Sequence, residues 1–266
     1  MTLPRIFPIR QSFPRPSVDD ITGRAEAELE RVLPADRISD GAKIGVTVGS
    51  RGIANIAGIT KAVVGYLKSR GASPFIIPAM GSHGGATAEG QAHLLAHYGV
   101  TEEGVGAPVH AAMETEHQGT TAEGVEVYLA KTAVEADGVV LLNRIKPHIS
   151  FRAPNESGLA KMLSIGLGKQ SGAETCHSRG IDNVGIFVAK MARMKLERCK
   201  VLFGIGTIEN AYDGLAQVVA LDSYGMLEAE APYLQEAMRN MPRLPLGPLD
   251  APSASGDLDV LVVDEG

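Results

Sequence analysis

The 266-residue sequence has no tryptophan, few aromatic residues (5%) and no excess of positive charge. The shortage of aromatic side chains counts against a surface on which nucleic-acid bases stack. Acidic residues outnumber basic ones by 31 to 25, for a formal net charge of -6. The chain therefore lacks the basic footprint of a protein that binds duplex nucleic acid, and we expect no nucleic acid among its partners.

Long apolar runs are also absent. The sequence has no stretch of about 18 consecutive apolar residues, the length that a membrane-spanning helix needs. Residues 1–16 contain no apolar segment of signal-peptide length. The two cysteines, Cys176 and Cys199, are too few for a disulfide framework and suit a reducing compartment. These absences predict a soluble cytoplasmic protein without a membrane partner.

Short apolar runs alternate with amphipathic stretches along the chain. The runs are rich in valine, isoleucine and leucine without polar alternation, which is typical of strands buried on both faces of a parallel sheet. The stretches between them repeat apolar residues at helical spacing. The alternation predicts a Rossmann-like α/β domain with a mostly parallel sheet and flanking helices. The predicted strands are 44–48, 75–79, 139–142 and 201–205, with 123–131 as an extra strand, and the predicted helices are 53–70, 87–98, 182–195 and one that begins after Asp19 or Asp20.

The last residues of the chain have a different composition. Residues 241–256 contain four prolines and two glycines, which indicates a linker. One more apolar run, 258–263, follows the linker and resembles the first strand of a second unit. We therefore expect a cofactor-binding and catalytic domain over residues 1–240, and the first strand of a truncated second α/β domain over 257–266.

Polar or glycine-rich segments follow all four of the main predicted strands. In open parallel sheets, ligands bind at the carboxyl ends of the strands. The four segments therefore meet at one predicted edge, which makes this edge the candidate site. They are 49–52 (GSRG), 81–85 (GSHGG), 143–148 (NRIKPH) and 206–210 (GTIEN).

The first two segments offer different chemistry. Residues 49–52 lead into a helix N-terminus, where backbone N–H groups favour an anion. Arg51 can add a pair of charge-assisted hydrogen bonds to the same anion. The alternative is an ordinary turn with a solvated arginine. In residues 81–85, three glycines surround His83 and let the backbone approach a ligand, so the imidazole can serve as an acid or base near neutrality. The alternative is a surface histidine in a turn.

A separate pair of histidines, His93 and His97, has the i, i+4 spacing of zinc ligands. The glutamate of an HExxH motif is missing between them. We therefore expect a partly solvated helix face here and assign no role to His110 or His117, which lie in loop-like sequence.

Residues 143–180 form the stretch with the densest positive charge. Eight lysines, arginines and histidines stand there against two glutamates. A local surplus of this kind in an acidic protein marks a site for an anionic small molecule. Lys161 lies in apolar sequence, SGLAKML, where desolvation favours a neutral, nucleophilic amine. The alternative is a lysine that extends to the surface.

This stretch resembles the nickel-dependent lactate racemase family, whose members carry a nickel-pincer nucleotide. The family pattern has a histidine, a Ser-Gly-x-x-Lys segment and, after a glycine-containing stretch, a second histidine. The matching residues here are His148, Ser157-Gly158-Leu159-Ala160-Lys161 and His177. Upstream, Gly81-Ser82-His83 matches a glycine-flanked histidine that follows a strand, and Gly49-Ser50-Arg51 matches an Asp-x-Thr-Arg turn in part. The resemblance covers roughly residues 40–210.

The resemblance implies a role for each matched residue. Lys161 would form a covalent thioamide link to the cofactor, and His177 would bind nickel. His83 and His148 would be acid/base residues on the two sides of the substrate. The implied activity is racemisation or epimerisation of a small 2-hydroxy carboxylate through hydride transfer to the tethered cofactor, and the enzymes of cofactor synthesis would be partners. The remaining implied contacts to cofactor or substrate are Ser50, Arg51, Gly81, Ser82 and Gly158.

The chain also departs from the family pattern. The aspartate of the Asp-x-Thr-Arg turn is replaced by Val48, and residues 154–156 (Pro-Asn-Glu) lengthen the interval between His148 and Lys161. Both features predict an outlying member with a different substrate. Family members are considerably longer, so the resemblance implies an N-terminal portion whose substrate site is incomplete.

Two other functions remain open on these residues. A zinc-type, divalent-metal hydrolase or lyase would use His83, His148 and His177 as ligands, although few carboxylates lie nearby in the sequence. A non-catalytic domain that binds a nucleotide or another anion would have kept the fold and lost turnover.

Overall fold

The computed structural model of the protein describes residues 10–33 and 37–242. Most of the expected linker and the whole of the expected strand 257–266 lie outside these residues, so the predicted domain division stays a prediction. Along the described chain, the elements are α1 (Ile21–Val32), β1 (Lys43–Val48), α2 (Ile56–Ser69), β2 (Ser73–Pro78), α3 (Ala88–His97), α4 (Glu102–Val105), β3 (Thr115–Thr120), β4 (Glu126–Ala130), α5 (Lys131–Val134), β5 (Gly138–Arg144), α6 (Leu159–Lys161), a π-helical turn (Met162–Gly166), α7 (Lys169–His177), α8 (Ile181–Arg198), β6 (Val201–Glu209), β7 (Leu215–Asp222) and α9 (Met226–Asn240).

The central sheet has five strands in the order β2-β1-β5-β6-β7. The first four are parallel, and β7 runs antiparallel to β6 at one edge. Alternate residues of β5 enter different cores: Val139 and Leu141 pack on one face with residues of α7 and α8, whereas Val140 and Leu142 pack on the other with residues of α1 and α2. The predicted α/β fold with a mostly parallel sheet is therefore confirmed.

The helices begin where the sequence places capping residues. Asp20 accepts a hydrogen bond from the Gly23 N–H at the start of α1, and Thr87 accepts one from the Gly90 N–H at the start of α3. Gly71, which follows α2, has a φ of 82° and so takes the left-handed conformation that favours glycine. The predicted helices correspond to α1, α2, α3 and α8. No described helix is long and apolar enough to cross a membrane.

Several elements differ from the sequence prediction. The expected strand over 123–131 exists as β4, but it pairs with β3 in a separate antiparallel hairpin instead of joining the central sheet. The antiparallel strand β7 and the helices α7 and α9 were not predicted. β7 returns after a short turn that Asn210 stabilises, because its side-chain oxygen accepts the N–H groups of Tyr212 and Gly214.

Candidate active site

The carboxyl ends of the four parallel strands meet at one edge of the sheet, as expected. Residues 49–52 follow β1, 81–85 follow β2 closely, 143–148 end and follow β5, and 206–210 end and follow β6. Because these strands pair in parallel, all four segments lie at the same edge. The structure thus assembles the candidate site from segments that are far apart in the sequence.

His83 lies in a turn whose backbone packs closely against residues 159–166, which carry Lys161 and are called the Lys161 segment below. Gly81 has a φ of 59°, and its N–H donates to the carbonyl of Gly166 at 3.1 Å. A Cβ on Gly81 would lie 3.2 Å from Cγ2 of Ile165. Glycine is therefore needed here both for the left-handed backbone and for the close approach that links the two candidate segments.

A buried pair of side chains supports the same turn from inside. Nε2 of Gln91 donates to the carbonyls of Gly81 and His83 at 3.0 and 3.2 Å. Nζ of Lys169 donates to Oε1 of Gln91 at 2.9 Å and to the carbonyl of Pro78 at 2.5 Å. Both side chains are fully buried, and burial lowers the pKa of Lys169 to about 8. Sequence reasoning counted Lys169 only toward the local surplus of charge and missed this supporting role.

Ser50 contacts the imidazole of His83 directly. Its Oγ forms a hydrogen bond with Nδ1 of His83, and its carbonyl accepts one from the hydroxyl of Tyr98 at 2.9 Å. The structure therefore places Ser50 against a candidate acid/base residue. Arg51 and Ser82 are exposed at the same edge, where a ligand can reach them.

A buried carboxylate organises the loop that carries His148. The carboxylate of Glu156 accepts the N–H groups of His148 and Ala153 at 2.6 and 3.1 Å. The ring of His148 stacks on Phe151 with the centroids 4.2 Å apart, and its Nδ1 accepts the Ser150 N–H at 3.2 Å. Glu156 belongs to residues 154–156, which lie between His148 and Lys161, so this interval is part of the site's framework.

Lys161 ends α6, a single turn that continues into the π-helical turn. Its side chain is half-buried, and its ammonium has no hydrogen-bond or ion-pair partner among the residues that the structure describes. Burial lowers the pKa of Lys161; the positive charges of Arg51 and Lys146 lower it further, while Cys176 acts in the opposite direction. A desolvated amine of this kind is more easily neutral and nucleophilic.

The four residues matched to the family pattern share one electrostatic neighbourhood. Burial lowers the pKa of His83, and neighbouring positive charges that include Lys161 and His177 lower it further. Burial also lowers the pKa of His148 to about 4, again with contributions from Lys161 and His177. Lys161 and His177 thus act electrostatically on both candidate acid/base histidines.

A partly buried ion pair closes another part of the edge. Arg144 contacts the carboxylate of Glu209, which also accepts the Ala54 N–H at 2.8 Å. Burial raises the pKa of Glu209, and the Ala54 N–H and Arg144 oppose that rise. The Arg144 side chain is therefore held by Glu209 and serves the fold. Arg51 and Lys146 form no ion pair with another described residue, so both can meet an anionic ligand.

Gly158, in the matched Ser-Gly-x-x-Lys segment, faces a protein carboxylate. A Cβ at this position would overlap Oε1 of Glu230 on α9. The space beside Gly158 therefore holds Glu230, a residue that sequence reasoning did not single out. In the sequence, Glu230 is recognisable only as a glutamate on the apolar side of an amphipathic helix.

The histidine pair on α3 lies apart from these contacts. His93 and His97 are both exposed, which agrees with the solvated helix face that we expected. In the described parts of the chain, no three or more histidine, cysteine, aspartate or glutamate side chains are grouped so that they could hold a metal ion by themselves. The three-histidine site that a zinc-type hydrolase would need is not formed in this arrangement.

Comparisons with known proteins agree with the fold. A family model described as the lactate racemase N-terminal domain matches residues 49–185. Among solved structures, the chain is similar to the lactate racemase apoprotein from Thermoanaerobacterium thermosaccharolyticum, with 16% sequence identity and a TM-score of 0.60. That similarity covers 85% of this chain and 58% of the other, so the chain spans little more than half of that protein's length. No curated protein sequence matches the chain.

Proposed function

The chain belongs to the lactate racemase N-terminal domain family, and we propose from this that it is a racemase or epimerase of a 2-hydroxy acid. In this proposal it works with a nickel-pincer nucleotide that is tethered to Lys161. The observation that carries the proposal is the arrangement around Lys161, an unpartnered, half-buried amine whose charge reaches both His83 and His148. The cytoplasm is the proposed location, and the enzymes that make the cofactor are the proposed partners.

The side chains of the site fit such a cofactor. A covalent tether needs a nucleophilic amine, which Lys161 offers because burial lowers its pKa. A metal that receives its other ligands from the cofactor needs a single protein nitrogen, and His177 is an exposed imidazole at the end of α7. Phosphate or carboxylate groups need cations, and Arg51 and Lys146 can supply them. In this proposal Gly81 and Ser82 line the path of the cofactor.

When bound, a nickel-pincer nucleotide supplies an electrophilic centre that accepts hydride from C2 of a 2-hydroxy acid. The chain's own residues have to bind the substrate carboxylate, orient the hydroxyl group and move its proton. Two acid/base groups are needed because the two enantiomers present their hydroxyl groups on opposite sides. We assign the proton transfers to His83 and His148.

The two histidines differ in which ring nitrogen can carry a proton. A hydroxyl group can donate or accept, so the contact between Ser50 and Nδ1 of His83 allows a proton-free Nε2 that takes the substrate's hydroxyl proton. In His148, Nδ1 accepts the Ser150 N–H, which assigns the proton of the neutral ring to Nε2, from which it can be returned. The lowered pKa values of both histidines favour the neutral form of each ring.

Intact-mass and metal analysis tests the proposal. We expect the protein produced together with the cofactor-building enzymes to gain mass on the peptide that contains Lys161 and to hold nickel. Lys161→Ala removes both, whereas His177→Ala removes the nickel and keeps the added mass. Lys61→Ala and His93→Ala are matched controls, because both residues are exposed and lie outside the site.

Two results would contradict the proposal. One is wild-type protein that carries neither nickel nor added mass on Lys161 after this co-production. The other is loaded protein that exchanges no hydrogen at C2 of any 2-hydroxy acid in deuterated solvent, which would favour a non-catalytic nucleotide-binding domain. Zinc that stays bound in Lys161→Ala protein would instead favour a metal-dependent hydrolase or lyase.

A further inference from the structure

The Lys161 segment begins against a buried carboxylate from α9. Glu230 is 2% exposed, and its Oε1 accepts the N–H of Leu159, the first residue of α6. Its Oε2 accepts the Ala160 N–H at 3.4 Å and Nδ2 of Asn155 at 2.9 Å. The first N–H groups of a helix have no partner within the helix and carry a partial positive charge. A carboxylate at this point therefore fixes where α6 starts.

The sequence around this contact is built to admit the carboxylate. Gly158 precedes α6, and any Cβ there would overlap Oε1 of Glu230. Asn155 also donates to the carbonyl of Leu227 on α9 at 2.8 Å. The absence of a side chain at Gly158 and the side-chain amide of Asn155 thus both allow α9 to approach the Lys161 segment.

The other end of the segment lies against a buried ammonium from α8. Lys195 is fully buried, and its Nζ donates to the carbonyls of Leu163 and Ser164 at 3.0 and 2.7 Å. These carbonyls lie in the π-helical turn, where the Leu167 N–H reaches back five residues to Met162 and interrupts the regular helical pattern. A cation suits carbonyl groups at the C-terminal end of a helical segment.

Burial of the charged forms of Glu230 and Lys195 costs free energy. Burial raises the pKa of Glu230 and lowers the pKa of Lys195 to about 7. Within the described residues neither side chain forms an ion pair; their partners are backbone groups and one side-chain amide. Apolar residues in such places are often as stabilising as buried charges, so stability alone does not account for these two groups.

We infer that Glu230 and Lys195 are positioning residues that clamp the two ends of the Lys161 segment and thereby set where the Lys161 amine lies. The inference rests on the proposed function in one respect, namely that Lys161 carries the cofactor. Both residues lie beyond residues 49–185, so the matched stretch depends on α8 and α9 to hold its tether in place.

The protein without cofactor tests the clamp directly. We would compare Glu230→Gln and Lys195→Met with Glu228→Gln and Lys190→Met, whose parent residues are exposed on the same two helices. Hydrogen exchange read by mass spectrometry reports on the amides around residues 159–164. Acetylation of Lys161, followed over a range of pH, reports on the position and solvation of its amine.

We expect amide exchange near Leu159 and Ala160 to accelerate about tenfold in Glu230→Gln and near the π-helical turn in Lys195→Met, with the rest of the chain unchanged. The pH profile of Lys161 acetylation should shift in both variants and in neither control. Gly158→Ala should reproduce the Glu230→Gln result because its methyl group displaces the same carboxylate. Gly158→Ala therefore provides the test if Glu230→Gln does not fold. Glu230→Asp keeps a carboxylate and should recover part of the protection of the Leu159 and Ala160 amides against exchange.

The outcomes separate this inference from the proposed function. If wild-type protein gains no mass on Lys161 after co-production but the variants loosen residues 159–164, the clamp stands and the cofactor proposal fails. Unchanged local exchange and an unchanged acetylation profile in Glu230→Gln, Gly158→Ala and Lys195→Met would overturn the clamp, whether or not the protein loads a cofactor.

Discussion

The two candidate acid/base histidines are held by opposite kinds of structure. His83 lies in a short glycine-rich turn, supported from inside by Gln91, eight residues further along, and through Gln91 by Lys169 from a distant part of the chain. His148 lies in a long loop that is organised locally by Glu156, eight residues further along. The first arrangement depends on long-range packing, and the second depends on a carboxylate that the loop itself provides.

The two supports show that the backbone around a candidate acid/base histidine can be held in place in two ways. A rigid turn is possible where Gly81 lets the backbone contact the Lys161 segment. A longer loop needs an internal acceptor for its free N–H groups, because buried N–H groups without partners are costly. Substitutions that remove the two supports should therefore differ in how much they lower the free energy of unfolding and in which amides they cause to exchange faster.

The largest effect is expected from Lys169→Met. The substitution removes the donor to the Pro78 carbonyl and to Gln91 while leaving both acceptors buried. We expect the free energy of unfolding to fall by about 2–4 kcal/mol, and we expect faster amide exchange at His83. Chemical denaturation and hydrogen exchange measure these changes.

Lys131→Met is the matched control, because the Lys131 side chain is 52% exposed and its ion pair with Glu135 lies on the surface. We expect this variant to stay within about 0.5 kcal/mol of wild type. If Lys169→Met were as stable as the control, Lys169 would not support the His83 turn.

The strands and the edge of the sheet could be predicted because their signals are local. Continuous apolar runs marked β1, β2, β5 and β6, and parallel pairing then placed the segments after them together. β7 pairs with β6 as a hairpin across a short turn that Asn210 organises. It was missed because Gln217, near its start, leaves it without the continuous apolar run that marked the other strands. β4 was predicted as a strand, but its partner was not.

The candidate residues of the site can be named from the sequence, whereas the side chains that support them cannot. The order of His83, His148, Lys161 and His177 follows a motif, so these residues can be found in the sequence. Side chains such as Glu230 contact the site across about 70 residues, and their role depends on burial that only the folded chain reveals. In the sequence, a buried glutamate on a helix looks like any other charged residue.

A smaller effect is expected from Glu156→Gln in the His148 loop. The amide keeps one oxygen that can accept but turns an N–H₂ group toward the N–H groups of His148 and Ala153. We expect a loss of about 1–2 kcal/mol in the free energy of unfolding and faster amide exchange at His148. Exchange at His83 should not change, since the support of that turn is separate.

Glu174→Gln controls for the loss of charge, because Glu174 is exposed on α7. Faster exchange at both histidines in Glu156→Gln would mean that the two supports are coupled, and the contrast drawn between them would then be wrong.

The smallest effect concerns the electrostatics of the two rings. After burial, Arg51 and Lys161 both lower the pKa of His83, whereas of these two charges only Lys161 lowers the pKa of His148. Because a nearby cation disfavours the imidazolium, removing it raises the pKa. Lys161→Ala should therefore raise the pKa of both histidines, and Arg51→Ala should raise that of His83 alone, each by less than about one pH unit. NMR titration of ring-labelled protein without cofactor, assigned with His83→Gln and His148→Gln, measures both midpoints. A rise at His148 in Arg51→Ala as large as that at His83 would show that the rings respond to one common field and not to two distinct surroundings.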